Sequence, residues 1–594
     1  MKYYNGKLGS SLIFLIAFLA GIFVFNSNGL KTVDDRFFDA LDRFSQILVT
    51  GRLIAHDAGV DSQGWSLGSV KINGVLEYTE HNLETYNALV ASGAKPEVVY
   101  FPYQSHLGLQ GAAFLWLHDV FGLNVYGLQF VNATLFALVI AMLTVLFARA
   151  YDWKFALAFF IVMVTSPWIV AFARNLYWVP FVWFLPAVFS TLLYLAKTSK
   201  GQWLAAIGLL LSMFVKSLTG YEYLSAVTIL VCSVFVIGPL FKPVGRSYFS
   251  NVKLAALAGV LCVLGFVLAL LLHAGMRGDT IAHGLANIIE QDVKKRTYGD
   301  ASAFDPVLRD SLNASIVDVL KIYWSWLNWR TPVFAGISAF YLNFSMLVVG
   351  LGLAYSVARR RWHDLRLVAL TAIMLLASLS WYVLAKSHSY GHTQLNYILW
   401  YFGFVPALAY TVVFYLVRMG SDAAGFLMHA GVKGKVAVAA VVCLMATGWV
   451  VYVKNSDRML DSRYASATAS FDLQSGARLL VSDTAGLTLF RQNCVPSYRP
   501  GTYFIHVYPQ SPEAISGMTD GFLDVGSKLV FNGNAQLASK YYQSCAAPIQ
   551  LPAYPLASLE IGETLPDGSI AWKQRIDLGG KTYVDPENAL ISAH

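Results

Sequence analysis

The stretch NVYGLQFVNATLFALVIAMLTVLFA, residues 124–148, contains no charged side chain and is followed at once by Arg149. A helix needs about 20 consecutive apolar residues to cross the hydrocarbon core of a bilayer. The stretch therefore predicts a membrane-spanning helix with a basic residue at one end. Similar runs recur from the first residues to about position 450, so the sequence predicts a polytopic α-helical membrane protein.

Roughly eleven spans are predicted on this basis. They are residues 8–26, 124–148, 154–173, 176–196, 202–218, 221–241, 252–274, 332–357, 365–385, 396–417 and 434–453. The fifth is short and ends at Lys216, and its loss would invert the topology of everything that follows. The first has no small-residue cleavage site, so we interpret it as a retained anchor and not as a signal peptide.

Composition excludes several classes of protein. Of the 594 residues, 56% are hydrophobic and 13% are charged, which is not the balance of a soluble globular protein. The net charge of +8 is not evidence for nucleic-acid binding, because membrane proteins concentrate Lys and Arg in their cytoplasmic loops.

Basic residues cluster in alternate connections between the predicted spans. They are Lys2 and Lys7; Arg149 and Lys154; Lys197 and Lys200; Lys242, Arg246 and Lys253; Arg359, Arg360, Arg361 and Arg366; and Arg418, Lys433 and Lys435. The positive-inside rule makes that side, and the N-terminus, cytoplasmic. The long segments 27–123 and 275–331 then belong to the opposite side, called the outer side below, where we expect function to concentrate.

The chain changes character after residue 453. Residues 454–594 contain short alternating runs, such as 478–482 and 502–507, separated by Pro and Gly. This pattern predicts a small β-rich extracytoplasmic domain that follows a membrane domain of residues 1–453. Cys494 and Cys545 lie in it, and an oxidising compartment would allow them to form a disulfide.

An acidic pair, Asp34 and Asp35, follows the first span. Carboxylates beside a bilayer are costly unless they are solvated, paired or functional. One interpretation is a general base that accepts a proton from an attacking hydroxyl. The other is helix capping, with Thr32 as the N-cap and Asp35 three residues later. Apolar residues at helical spacing from Phe37 to Leu48 predict an amphipathic interfacial helix here, and 107–121 predicts a second.

The segment Asp34-Asp35-Arg36-Phe37-Phe38 resembles the start of the GT-C-type integral-membrane glycosyltransferases, such as the lipid A aminoarabinose transferases and protein O-mannosyltransferases. Those families have Asp-Glu-x-Arg-Tyr after the first span, so the second acid and the spacing to Arg differ here. The run FGLNVYGLQFVN, residues 121–132, is similar to a second family motif but lacks its Arg. The resemblance covers about the first 200 residues at motif level and the general layout to 453.

The resemblance implies an inverting transferase in a bacterial inner membrane. It would move a sugar from a polyprenyl-phosphate donor to a hydroxyl of a glycan or lipid acceptor on the outer face, with Asp34 or Asp35 as the base. Cations must then stabilise the departing phosphate. The candidates are Arg174, Lys216 and Lys386, with His388 and His392 as further donors. The alternative for such basic residues is snorkelling at span ends.

The remaining candidates are polar or aromatic residues on the outer side. Candidate substrate contacts are Arg36, Gln104, His106, Gln110, Tyr177 and Trp178. His388 and His392 lie four apart but have no accompanying Glu, so no metal site is predicted and the cofactor stays open. The charged run 292–300 is typical of a solvated face, or of a lid. Other functions left open are a polysaccharide polymerase or ligase, a flippase and a membrane scaffold.

Overall fold

A computed structural model describes most of the membrane region and part of the C-terminal region. The described residues are 7–33, 38, 41–73, 75–76, 97–305, 308–326, 332–338, 341–429, scattered positions from 431 to 451, 467–474, 477–482, 486–491, 502–509, 529–530, 546–549, 556–564 and 570–581. The predicted base residues Asp34 and Asp35, the candidate contact Arg36, both cysteines of the predicted disulfide and much of the span 434–453 lie outside these residues.

Helices dominate the described chain as far as residue 429. They are α1 (Lys7–Ser27), α2 (Arg43–Asp57), α3 (Leu109–Phe121), α4 (Val125–Ala150), α5 (Trp153–Thr165), α6 (Pro167–Phe172), α7 (Phe181–Leu195), α8 (Ser199–Thr219), α9 (Leu224–Phe241), α10 (Tyr248–Arg277), α11 (Ile281–Ile288), α12 (Lys294–Arg296), α13 (Arg309–Asn313), α14 (Ile316–Lys321), α15 (Tyr341–Ala358), α16 (Leu365–Leu384), α17 (Lys386–Gly391), α18 (Thr393–Asn396) and α19 (Phe404–His429). A π-helical turn, Ile289–Val293, joins α11 to α12.

Eight helices in the described residues are long and apolar enough to cross a membrane, which is the pattern of a multi-pass membrane protein. They are α1, α4, α8, α9, α10, α15, α16 with its preceding turn, and α19. The uncertain fifth span is α8, a helix of 21 residues. It begins three residues before the predicted span because the Thr198 side chain accepts a hydrogen bond from the Gly201 amide and caps it.

Proline divides or shortens two of the predicted spans. Residues 154–173 form α5 and α6, which are separated at Ser166, a residue in an extended conformation. Pro167 has no amide hydrogen to donate, so it starts a new helix more readily than it continues the old one. The span predicted from 176 begins only at Phe181, after Pro180, and contains Pro186. Both regions are shorter apolar helices than the sequence pattern suggested.

Two later spans are shifted along the chain. The span predicted from 332 begins as α15 at Tyr341, because the short strands β4 (Pro332–Phe334) and β5 (Ile337–Ser338) precede it. The span predicted from 396 begins as α19 at Phe404, after a 3-10 turn over Tyr397–Tyr401. Apolarity alone predicted these stretches, and it does not distinguish a span from a buried turn beside one.

Small residues allow the helices to pack closely. α8 lies against both α7 and α10, and α1 lies against α4. A Cβ atom on Gly265 of α10 would stand 2.9 Å from the Leu210 carbonyl oxygen of α8. A Cβ on Gly21 of α1 would stand 3.0 Å from Cβ of Ala137 of α4. Glycine at such crossings is typical of helix packing within membranes, where close backbone approach maximises van der Waals contact.

The first outer segment is partly ordered into a sheet and two short helices. Strands β1 (Gly68–Ile72), β2 (Val75–Leu76) and β3 (Val98–Pro102) form an antiparallel sheet in the order β2-β1-β3. The predicted interfacial helices correspond to α2 and α3. α2 begins only at Arg43 because Asp42 adopts a left-handed conformation with φ 48°.

The C-terminal region contains two antiparallel four-stranded sheets within the described residues. Their strands are β6 (Ala469–Asp472), β7 (Ala477–Ser482), β8 (Gly486–Arg491), β9 (Thr502–Pro509), β10 (Leu529–Val530), β11 (Ala546–Ile549), β12 (Leu556–Thr564) and β13 (Ile570–Lys581). The orders are β10-β9-β12-β13 and β11-β8-β7-β6. Contacts divide the chain into a unit of 1–319, 333–336 and 343–417 and a second unit of 320–332, 337–342 and 418–594.

We predict that Gly265→Ala destabilises the protein while Gly275→Ala on the same helix does not. The added methyl at 265 must push α8 and α10 apart, at a cost of about 1–3 kcal/mol. No atom lies within 4 Å of the corresponding position at Gly275, so only helix propensity changes there. Thermal unfolding of the purified protein in detergent is the measurement. Equal melting temperatures for the two variants would contradict the close crossing.

Candidate functional site

The first outer loop packs onto the outer ends of two other segments. The Gln110 side chain donates hydrogen bonds to the carbonyl oxygens of Tyr177 (2.9 Å) and Thr219 (3.0 Å). The Gly108 amide donates to the Leu218 carbonyl at 3.0 Å. The segment before α3, the turn before α7 and the end of α8 therefore meet at one place. Gln110, predicted as a substrate contact, here holds backbone in position.

His106 lies at this meeting point with two tyrosines. Its Nε2 atom is 2.9 Å from the Tyr177 hydroxyl, and that hydroxyl donates to the Tyr103 hydroxyl at 3.3 Å. The other ring nitrogen, Nδ1, is buried and has no hydrogen-bond partner among the described residues. Burial lowers the pKa of His106 to about 4, against the opposing attraction of Glu222. Near neutral pH the site therefore holds a neutral imidazole beside the neutral phenol of Tyr177, whose pKa burial raises.

Glu222 lies in the turn between α8 and α9, with 7% of its side chain exposed. The turn is built from unusual backbone conformations: Gly220 has φ 154°, and the buried Tyr223 has φ 65°. A Cβ atom at position 220 would stand 2.5 Å from the Glu222 carboxylate, so glycine leaves the room that the carboxylate occupies. A non-glycine residue with such a φ is uncommon and costly, and strained residues of this kind cluster at functional sites.

Arg296 is the ion-pair partner of Glu222. Its guanidinium lies 4.0 Å from the Glu222 carboxylate and 3.9 Å from that of Asp292. Burial raises the pKa of Glu222, but the charges of Arg296, His106 and Lys216 outweigh that effect and hold it at about 2. Glu222 is therefore ionised at neutral pH, which makes it a poor proton acceptor and a good electrostatic partner.

Asp292 lies in the π-helical turn and links Arg296 to the end of α10. Arg277 donates to the Asp292 carboxylate at 2.8 Å and to the Asn287 side chain at 2.7 Å. Arg277 also donates to the carbonyl oxygen of Gln104, so this predicted substrate contact acts through its backbone. Carboxylates and guanidiniums thus alternate across the outer ends of α8, α9 and α10. π-Helical turns inside helices are frequent at functional sites.

Two of the predicted phosphate-binding cations donate to backbone carbonyls. The Lys216 ammonium donates to the Gly220 carbonyl at 2.6 Å, which ties it to the Glu222 turn. The Lys386 ammonium donates to the carbonyls of Leu312 (2.6 Å) and Ala314 (2.7 Å). Each buried lysine therefore satisfies carbonyls at the end of a helix, α8 and α13 respectively.

Arg174, the third predicted cation, lies in a separate place beside the first span. It donates to the Asn26 carbonyl at 2.9 Å and to the Gln129 side chain at 2.7 Å. Its guanidinium also lies 5.1 Å from the centre of the Phe38 ring. It therefore contacts the chain immediately after the acidic pair, although the pair itself is outside the described residues.

The turn before α7 also holds the start of α2. The Trp178 indole donates to the Asp42 carboxylate at 2.6 Å, and Asn175 donates to the Leu41 carbonyl at 2.7 Å. Burial raises the pKa of Asp42. Trp178, predicted as a substrate contact, is thus bonded to a neighbouring carboxylate. The chain on the C-terminal side of the acidic pair is fixed to the same turn that supplies Tyr177.

His388 and His392 lie close together, with ring centres 4.9 Å apart. His388 Nδ1 is 3.0 Å from the side-chain nitrogen of Asn396. Burial, followed by the charges of His392 and Arg296, holds the pKa of His388 well below its usual range. Among the described residues there is no group of three or more His, Cys, Asp or Glu side chains that could hold a metal ion.

The structure brings together part of the predicted site and adds residues that the sequence did not single out. Lys216, His106, Tyr177 and His388 surround Glu222 or act on its charge. The sequence pattern of 292–300, which contains Arg296, indicates a solvated face or a lid. The sequence feature that could have indicated Glu222 is the presence of an acidic residue where two predicted spans meet. No feature of the sequence indicated Arg296, because only the fold brings α12 to the turn that contains Glu222.

Comparison with known proteins adds no further assignment: no family model, no curated protein and no solved structure matches this chain.

We predict that His106 makes the protein less stable as pH falls from 6.5 towards 4. In this window the unfolded chain binds a proton that the buried imidazole does not, so acid favours unfolding by up to roughly 3 kcal/mol. His106→Gln should weaken this dependence. Melting temperatures of wild type, His106→Gln and the exposed control His363→Gln between pH 7.5 and 4.5 are the measurement. Parallel curves for wild type and His106→Gln would refute the assignment.

Proposed function

We propose that this protein is a membrane glycosyltransferase that moves a sugar from a polyprenyl-phosphate donor to a hydroxyl acceptor on the outer face of the membrane. The observation that carries the proposal is the cluster of Glu222, Arg296, Asp292, His106 and Tyr177 at the outer ends of apolar helices. Buried ionisable groups at the edge of a membrane are costly, and they mark substrate sites more often than structural ones. The resemblance of residues 34–38 to the GT-C families supplies the reaction type.

The proposed step is a direct displacement at the anomeric carbon. An acceptor oxygen forms a bond to that carbon while the bond to the phosphate oxygen breaks, so the configuration inverts. Asp34 takes the proton from the acceptor hydroxyl, or Asp35 does if Asp34 has the structural role. The phosphate leaves with its bonding electrons and needs nearby positive charge. Binding both substrates at one membrane edge lowers the entropic cost of the encounter.

Contacts on both sides of the acidic pair support its assignment. On the N-terminal side, the Asn28 side chain donates to the Val33 carbonyl at 2.6 Å. On the C-terminal side, Phe38 lies under Arg174 and Leu41 is bonded to Asn175. A base must be positioned to within a fraction of an ångström by its surroundings. The contacts of Val33, Phe38 and Leu41 support the proposal because they fix the described chain on both sides of the pair.

The proposed location is a bacterial inner membrane, with the N-terminus in the cytoplasm and the site and C-terminal domain outside. The separation of basic connections from the cluster supports this orientation. A polysaccharide polymerase or ligase would use the same side. A flippase would need polar groups along a whole path. Of the buried Lys, Asp and Glu side chains in the described chain, Lys216, Glu222, Asp292 and Lys386 lie on the predicted outer side, and Asp364 lies at the opposite end, before α16.

The transferase proposal predicts that Asp34→Asn loses most activity. Removing a general base typically costs about 10²- to 10⁴-fold in rate. The assay is sugar transfer from a panel of polyprenyl-phosphate sugars by the purified protein in lipid, with Asp35→Asn as the second test and the exposed Asp300→Asn as the control. Full activity in both Asp34→Asn and Asp35→Asn would exclude this base, and no transfer from any donor would count against the function.

The proposed orientation predicts which introduced cysteines react in intact cells. In a background with the native cysteines replaced by Ser, Asp279→Cys should react with a membrane-impermeant maleimide. Lys200→Cys should react only after permeabilisation, because it lies in a predicted cytoplasmic connection. Both side chains are exposed in the structure, so burial does not explain a difference. The opposite labelling pattern would invert the topology.

A further inference from the structure

Arg296 differs from Arg277 and Lys216, the other cations of the cluster, because none of its N–H groups donates a hydrogen bond within the described chain. Its guanidinium carries five N–H donors, yet the carboxylates of Asp292 and Glu222 stand at 3.9 and 4.0 Å, beyond hydrogen-bonding distance. No other hydrogen-bond acceptor in the described chain is bonded to it. Only 22% of the side chain is exposed. The side chain is therefore largely shielded from water, but none of its nitrogen atoms is fully buried, so a ligand can reach them.

The other basic residues of the cluster differ from Arg296 in this respect. Arg277 donates to Asp292, to Asn287 and to the Gln104 carbonyl, and Lys216 donates to Gly220. These side chains hold the scaffold together. A donor that is shielded from water and has no acceptor carries a free-energy cost, and the cost is larger when the donor is charged. Such a cost is regained when a ligand supplies the acceptors.

The charges around Arg296 favour an anion. Glu222 and Asp292 lie 4.0 and 3.9 Å from two different nitrogens of the guanidinium. Arg277 donates to Asp292, and the charge of Lys216 lowers the pKa of Glu222. Three cations thus face two carboxylates, and the nearby His388 is neutral. The two carboxylates orient Arg296 electrostatically and leave its N–H groups available. A planar guanidinium with free donors matches two phosphate oxygens in a bidentate contact.

We propose that Arg296 binds the phosphate of a lipid-linked ligand through two hydrogen bonds from its guanidinium to phosphoryl oxygens. The proposal rests on the proposed function, because it places the donor phosphate at Arg296 and gives Arg174, Lys216 and Lys386 structural roles. When the bond between sugar and phosphate breaks, negative charge grows on the oxygens that Arg296 contacts. Arg296 then stabilises the leaving group more strongly than it stabilises the intact donor.

An apolar groove beside the cluster favours a lipid over a free phosphate. It has a volume of about 490 Å³ and lies between α8 and α10, next to the start of α11. Its lining is entirely apolar: Leu210, Leu211, Phe214, Leu268, Leu271, Leu272 and Ile281. α8 goes on to supply Lys216, α10 supplies Arg277, and α11 continues through the π turn to Arg296. The groove therefore suits the isoprenoid chain of a lipid whose phosphate lies among these residues.

The test is binding of a long-chain isoprenyl phosphate, without a sugar, to the full-length protein in lipid nanodiscs. Arg296→Gln should weaken binding by roughly 10- to 100-fold, as expected for the loss of a charged bidentate contact. Arg296→Lys should bind with intermediate affinity, since a point charge remains. The exposed Arg309→Gln is the matched control for net charge. Unchanged binding by Arg296→Gln would overturn the proposal.

A second arm distinguishes a lipid from free phosphate. Leu268→Trp fills the groove and should weaken binding of the isoprenyl phosphate, whereas Leu12→Trp, on the exposed face of α1, should not. The uncharged isoprenol should bind equally to wild type and Arg296→Gln. If inorganic phosphate competes at Arg296 and Leu268→Trp has no effect, the ligand is a free phosphate and the lipid assignment is wrong.

This binding assay is independent of sugar transfer. Binding that depends on Arg296 without transfer from any donor would retain the phosphate site and remove the glycosyltransferase proposal. Sugar transfer combined with binding that does not depend on Arg296 would retain the glycosyltransferase proposal and remove the phosphate site at Arg296. The melting temperature of each variant separates loss of binding from misfolding, and Arg296→Lys, which keeps the charge that holds Glu222 ionised, provides the variant least prone to unfold.

Discussion

The outer half of the membrane unit depends on keeping Glu222 charged while it is buried. A buried carboxylate without positive charge nearby would cost several kcal/mol or take up a proton. Arg296 supplies the largest opposing attraction, and the turn at Gly220 supplies the space. Because Arg296 comes from the segment after α10, this single pairing links the α8–α9 turn to the second outer loop. Asp292 and Arg277 extend the same alternation of charge to the end of α10.

Basic residues at the edge of a membrane can stabilise their own chain or bind a ligand, and the residues of this cluster divide between these two roles. Lys216, Lys386 and Arg277 bond to carbonyls and carboxylates of their own chain and stabilise helix ends. The N–H groups of Arg296, in contrast, donate no hydrogen bond within the described chain. An anion that bonded to Arg296 would also weaken the attraction that holds the pKa of Glu222 low, because one cation would then serve two anions. Ligand binding and the charge of Glu222 are therefore coupled through one guanidinium.

Several features of the fold were predictable from the sequence for simple reasons. Apolar length predicted α1, α4, α8, α9, α10 and α16 near their observed positions, because crossing a bilayer imposes one dominant requirement. The breaks at Ser166 and before Tyr341 were not predicted. They depend on backbone hydrogen bonding and on turns that are as apolar as the spans beside them. The start of α2 was not predictable either, because Asp42 has a left-handed backbone conformation and the helix begins only at Arg43.

The sequence by itself determined the class of protein, the alternation of basic loops and the presence of a candidate acidic pair after the first span. Tertiary structure alone decided that Lys216 and Arg277 donate hydrogen bonds to the chain, whereas Arg296 forms ion pairs but donates no hydrogen bond within the described residues. The physical reason is the distance along the chain over which each effect acts. Apolar length and charge bias act within one segment, whereas the state of Glu222 depends on Arg296, 74 positions further along the chain, which only the packing of α8, α9 and α10 brings within 4.0 Å.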